Sequence, residues 1–197
     1  RTELKGKKLF DYLPQFKDWL MCASIDGTGD IVEFIRKGIV WEQWLENFKE
    51  GLAAPGGKDK MLFDLTITGP GMFSIKDLFD LSLELDVRIE TKIMFAFHPD
   101  IIFSPFAWPK HILTRKIDEL LEYIEPRATH KQFTLINTLK EMKNRPSFEE
   151  QYPEEFEQGK KNGKSYQDRL DSIRDEKITI ADIYKTDDEL YNWWRTT

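Results

Sequence analysis

Three short β-prone runs, at residues 20–26, 61–68 and 87–97, each lead into glycine or proline punctuation, and the stretches between them are long enough to hold a helix. That spacing constrains the pairing. A tight hairpin gives antiparallel neighbours, whereas a helix-length crossover returns the chain so that the next strand lies parallel to the last. The pattern predicts an α/β fold built on three parallel β/α units.

The first run is the most informative, because Met21-Cys22-Ala23-Ser24-Ile25-Asp26 stops abruptly at Gly27-Thr28-Gly29. It reads as a strand ending at the rim of a site. Between the first and second runs, Trp41, Trp44, Leu45 and Phe48 recur at i, i+3, i+4 and i+7, one buried helix face, stopped by Gly51 and Pro55-Gly56-Gly57. After Gly69-Pro70-Gly71, Ser74 and Asp77 have the spacing of a capping box ahead of Leu78, Leu81 and Leu85. The lead-in from Lys7 to Trp19 has helix-like spacing broken by Pro14, so a short helix is expected there.

Beyond the third run the texture changes. Pro109 to Glu125 and Thr129 to Arg145 carry helical apolar periodicity. Residues 147–164 are polar and charged around Phe148, Tyr152 and Phe156, and Thr186 to Glu189 has the spacing of a capping box before Leu190, Trp193 and Trp194. Residues 1–104 therefore read as the β/α part and residues 105–197 as a mostly α-helical extension.

Composition narrows the partners. Thirty-five acidic against 29 basic residues give a net charge of −6, with the basic residues scattered, which argues against a nucleic-acid surface. No apolar run approaches the roughly 18 residues that span a bilayer, and no leader pattern is visible, so no membrane association is expected. The single cysteine, Cys22, excludes an internal disulfide and any cysteine-based cluster built by this chain alone, and fits a cytoplasmic setting. His98, His111 and His130 are spaced too irregularly to form a metal site. The chain opens on Arg1 and runs quickly into the first strand, and is expected to be a piece of something longer.

Side chains alternate across a strand, so Cys22, Ser24 and Asp26 share one face, as do Asp64, Thr66 and Thr68, and Arg88, Glu90 and Lys92. The opposite faces are largely apolar. Three polar stripes suit either the lumen of a curved, barrel-like sheet or an open sheet with one solvated face, and the helix-length connections favour the lumen.

Ser24-Ile25-Asp26-Gly27, the downstream Ile35-Arg36 and the Trp41 to Phe48 helix resemble the fourth β/α unit of the radical SAM superfamily. Through Asn47-Phe48, the Pro99 to Pro109 turn and Leu170-Asp171-Ser172-Ile173-Arg174, the resemblance extends to members with a truncated twitch region. It implies the second half of a partial TIM-like (β/α)6 barrel followed by a helical tail. It also implies a C-terminal fragment of an enzyme that uses S-adenosylmethionine and a 4Fe-4S cluster. Those enzymes hold the cluster on a CxxxCxxC loop after the first strand. Cys22 is the only cysteine here, so both cofactors are expected in the intact parent enzyme, and this chain alone is expected to retain at most weak affinity for S-adenosylmethionine and no cleavage activity.

By the same likeness, Ser24 and Arg36 would hold the methionyl carboxylate, Asp26 would accept hydrogen bonds at the rim, and Thr66 and Thr68 would line the pocket. Asp64, Glu90, Lys92 and Met94 would meet the substrate, an unknown peptide or small molecule; the likeness assigns no catalytic or metal-ligating residue to this part. Plainer readings stand beside these. Ser24 and Asp26 also suit capping of the following turn, and Arg36 suits an i, i+3 pair with Glu33. Two other functions fit the residues: a non-catalytic α/β interaction module, self-associating as a homodimer through an exposed sheet edge, and a hydrolase or sugar-binding domain pairing Asp26, Asp64 and Glu90.

Overall fold

A computed structural model describes residues 3–4, 6–95, 101–173 and 177–197. The chain begins with an antiparallel pair, β1 (Glu3–Leu4) and β2 (Lys7–Lys8). Two 3-10 turns follow, Leu9–Asp11 and Leu13–Gln15, in place of the expected helix. Pro14 lies in the first turn of the second, and a residue without an N–H and with a fixed φ does not let an α-helix run through it.

Three strands then form one parallel sheet in sequence order: β3 (Met21–Ile25), β4 (Met61–Ile67) and β5 (Arg88–Ile93). The crossover from β3 to β4 holds α1 (Gly29–Ile35), α2 (Trp41–Ala53) and α3 (Gly57–Lys60), and that from β4 to β5 holds α4 (Ile75–Glu84). The α/β fold with parallel strands is what the crossover lengths predict. β5 stops at Ile93, short of the expected limit at residue 97, because its ladder partner β4 ends at Ile67; the Met94 N–H still donates to the Ile67 carbonyl at 3.0 Å. Residues 96 and 97, and His98, lie outside the described residues.

The register sets Ser24, Asp64 and Glu90 side by side, and Phe63 beside Ala23 and Ile89 on the other face. On that apolar face, the Phe48 and Trp44 rings of α2 pack against Phe63, with centroids 4.7 and 5.9 Å apart. The polar face is different: Cys22, Arg88 and Lys92 are exposed, and Ser24, Asp64 and Thr66 are half-buried. The described residues thus make an open sheet whose polar face is partly in water.

The remaining helices are α5 (Lys110–Ile124), α6 (Phe133–Asn144), α7 (Phe148–Gln151), α8 (Pro153–Ile173), α9 (Ile180–Tyr184) and α10 (Asp188–Thr196). α6 backs β5, where the Thr138 and Thr91 hydroxyls meet at 2.5 Å. The charged stretch 147–164 is helical, held by buried Phe148 and Phe156, while Tyr152 is exposed. Among the described residues no helix is long and apolar enough to cross a membrane.

Two capping expectations are corrected. Ser74 makes no side-chain cap for α4; its hydroxyl donates to the Gly71 carbonyl at 3.2 Å and accepts from the Thr28 N–H at 3.3 Å, tying two loops together. The N-cap of α10 is Asp187, whose carboxylate accepts from the Leu190 N–H at 3.1 Å, and Thr186 donates back to the Ile183 carbonyl.

A full capping box does form at α9, between Thr179 and Asp182. Lys185, the Thr179 hydroxyl and the Thr179 N–H together push the Asp182 carboxyl down from 3.8 to about 2. A folded pKa below the unfolded one contributes stability that is present above the unfolded value and lost as pH falls through the folded one. Amide protection in α9 is therefore expected to decline from about pH 4 to about pH 2, and Asp182→Asn to flatten that decline; hydrogen exchange read by NMR checks it.

Candidate functional site

The carboxyl ends of β3 and β4 open into a cavity of about 400 Å3. In consecutive parallel β/α units the loops at the carboxyl ends of the strands are where binding sites are built. Asp26 follows β3 directly, and Thr66 and Thr68 close β4 on the same face of the pleat, so alternation delivers all three to the cavity wall. Met94 joins them from the end of β5, and Arg36 from the C-cap of α1.

Asp26 is 4% exposed and is held by Arg36 in a two-pronged pair: Nε–H donates to Oδ2, and Nη2 donates to Oδ1 at 3.1 Å. Hydrogen bonding to Asp26 raises the guanidinium pKa further, against the effect of partial burial. The expected pairing of Arg36 with Glu33 does not occur; Glu33 instead accepts from the Trp41 N–H at 2.8 Å and pairs with Lys177 at 2.8 Å. A guanidinium carries five N–H donors. Asp26 occupies the Nε edge, and the opposite Nη1/Nη2 edge makes no hydrogen bond among the described residues. That edge has the geometry that takes a carboxylate in a bidentate pair.

The rim is braced by close backbone approach. Thr68 is buried and its hydroxyl accepts from the Gly71 N–H at 3.0 Å. A Cβ at Gly71 would overlap the Asp26 carbonyl oxygen and come within 2.7 Å of the Thr68 hydroxyl, so only glycine lets this turn lie against the end of β3. Thr66 is half-buried, and its hydroxyl has no partner among the described residues.

Ser24 does not line the cavity. One pleat step before Asp26, its hydroxyl donates to Asp64 Oδ2 at 3.0 Å, and Lys92 donates to the same oxygen at 2.7 Å. Lys92 above all, then Ser24 and Arg36, hold the Asp64 carboxyl below its ordinary value against partial burial. Glu90 pairs with Arg88 along its own strand at 3.1 Å. Asp64, Glu90 and Lys92 thus form a separate charged cluster on the polar face, with Met94 alone of the expected substrate residues on the cavity wall.

For the hydrolase reading, Asp26, Asp64 and Glu90 each carry their own cation. At Asp64 the Lys92 ammonium holds the carboxyl below its ordinary value, the opposite of what a general acid requires. No group of three or more His, Cys, Asp or Glu side chains placed to hold a metal ion occurs among the described residues.

The apolar part of the wall is absent from the sequence reading. Phe34 of α1 stacks on Phe103 with centroids 6.0 Å apart and planes at 15°, and α8 contributes Tyr166, Gln167 and Leu170. The Phe156, Gly163, Gln167 spacing of i, i+7 and i+11 is the one signal that places α8 inward, and it holds only one large apolar residue. Arg174, which the sequence places three residues after Asp171, lies outside the described residues. Compared with family models, curated proteins and solved structures, the chain gives no match.

Proposed function

We propose that this cavity holds the amino-acid end of S-adenosylmethionine and that the chain is the C-terminal part of a radical SAM enzyme, with the polar sheet face turned to a barrel lumen. The observation that carries the reading is the convergence of Asp26, Arg36, Thr66, Thr68 and Met94 at the carboxyl ends of three consecutive parallel strands. The unoccupied guanidinium edge of Arg36 receives the ligand carboxylate, Asp26 fixes the guanidinium plane, and the Thr66 hydroxyl offers a neutral hydrogen bond. The exposed Lys92, with Asp64 and Glu90, faces the substrate, a peptide or small molecule.

Cofactor fit divides in two. The donor set suits a carboxylate, whereas a 4Fe-4S cluster, which supplies the electron for cleavage of S-adenosylmethionine, needs cysteines this chain lacks beyond Cys22. The cluster therefore belongs to another stretch of polypeptide in the same cytoplasmic enzyme. Calorimetric titration of the full chain with S-adenosylmethionine is expected to give weak binding, Kd on the order of 1 mM, lost in Arg36→Lys, which cannot make the planar fork. Absence of binding to the unaltered chain, or equal binding by the variant, contradicts the proposal.

One observation favours a second reading, an interaction module forming a homodimer. β3 has no strand partner on its outer edge among the described residues, and Met21, Ala23, Leu9 and Trp44 line a shallow groove beside it. An unpaired edge is a template for another strand. Sedimentation that shows a concentration-dependent dimer, abolished by a proline at Cys22, supports it; a monomer at all concentrations removes it.

A further inference from the structure

Gln167 lies on the inward face of α8, in line with Phe156 and Gly163, and is 1% exposed. That face favours apolar side chains, because a buried amide gives up its water. The Gln167 Nε2–H donates to Asp171 Oδ1 at 2.5 Å, but Oε1 is buried with no hydrogen-bond partner among the described residues. A buried acceptor without a donor is uncommon in native proteins, and its presence calls for an account of what it faces. Gln167 borders the same cavity as Asp26 and Arg36.

We infer that Gln167 recognises the ligand of this cavity, its Oε1 accepting a hydrogen bond from an ammonium N–H while the ligand carboxylate lies on Arg36. The inference rests on the carboxylate reading of the cavity and adds the second polar group the ligand must carry. Arg36 is a donor without acceptors, and Gln167 Oε1 an acceptor, so the two call for opposite partners. Phe34, Phe103 and Leu170 supply an apolar wall between strands and tail. A carboxylate, an adjacent N–H donor and an apolar body together describe an α-amino acid moiety. The helical tail is then part of the binding site and not merely its cover.

The test titrates the full chain with L-methionine and with its deamino analogue, 4-(methylthio)butanoate, comparing the unaltered chain with Gln167→Leu and Gln167→Glu. The unaltered chain is expected to prefer methionine by about tenfold, the worth of one hydrogen bond to a charged donor. Gln167→Leu, similar in size but without the acceptor, is expected to lose that preference while binding the analogue as before; Gln167→Glu, which keeps an acceptor, is expected to retain it. Equal binding of both ligands by the unaltered chain, or a preference that survives in Gln167→Leu, overturns the inference and leaves the carboxylate site standing. Binding of neither ligand overturns both. Should Gln167→Leu not fold, the comparison of ligands on the unaltered chain and on Gln167→Glu still decides: a preference absent from either contradicts the inference.

Discussion

Arg36→Met is expected to lower the unfolding free energy by about 2–3 kcal/mol, because it leaves the Asp26 carboxylate buried without its fork. Asp26 is 4% exposed, and among the described residues both hydrogen bonds to its carboxylate come from Arg36. The cost sits at the lower end for a broken buried pair, since the Arg36 side chain is 37% exposed and water screens part of the interaction. Asp26→Asn in the same background is expected to recover about half of the loss, since a neutral amide costs less to bury unpaired than a carboxylate. Urea denaturation of the two variants measures both effects; a loss below about 0.5 kcal/mol for Arg36→Met, the level of an ordinary surface pair, contradicts the account.

Gly71→Ala is expected to cost about 1–3 kcal/mol and to disturb the site at the same time. The added methyl meets the Asp26 backbone carbonyl, which cannot yield without shifting the end of β3, and also the Thr68 hydroxyl that accepts from the Gly71 N–H. A surface glycine with open space around it, such as Gly6, provides no such contact, though its φ of +71° carries its own strain. Denaturation together with amide shifts at Asp26 and Gly27 checks the prediction: an unchanged midpoint with unchanged shifts means that the turn does not lie against β3 as described.

Much of this architecture is legible in the residues. The helix-length gaps between 26 and 61 and between 68 and 87 announce parallel strands, and strict alternation places Ser24, Asp64 and Glu90 in one row before any coordinate is known. Glycine after Asp26 and after Thr68 marks the ends where the cavity opens. What alternation cannot distinguish is depth along the strand. Ser24 and Asp26 share a face, yet one meets Asp64 and the other meets Arg36, because only the second lies beyond the last ladder position.

The pairing of Arg36 was hidden for a different reason. Sequence distance favours Glu33, three residues away on a helix, but α1 ends at Ile35 and the C-cap turn carries Arg36 back over the strand end. The wall from α8 was hidden by composition: its inward face holds Phe156, Gly163 and Gln167, too polar a stripe for periodicity to expose. Likewise Thr186 and Glu189 have capping-box spacing, but Asp187 takes the cap, since its carboxylate reaches the Leu190 N–H directly.

The carboxylate site proposed for this protein is the cavity at the ends of β3 and β4, with Arg36 as its cation. Titrating the 15N-labelled chain with S-adenosylmethionine and following each amide by heteronuclear correlation tests it most directly. Saturable shifts are expected at Asp26, Gly27, Arg36, Thr66, Thr68 and Met94, with α8 around Gln167 responding and the far ends of the strands near Met21 and Arg88 silent. Shifts confined to those far ends, or none at ligand concentrations of about 10 mM, well above the expected Kd, would contradict it.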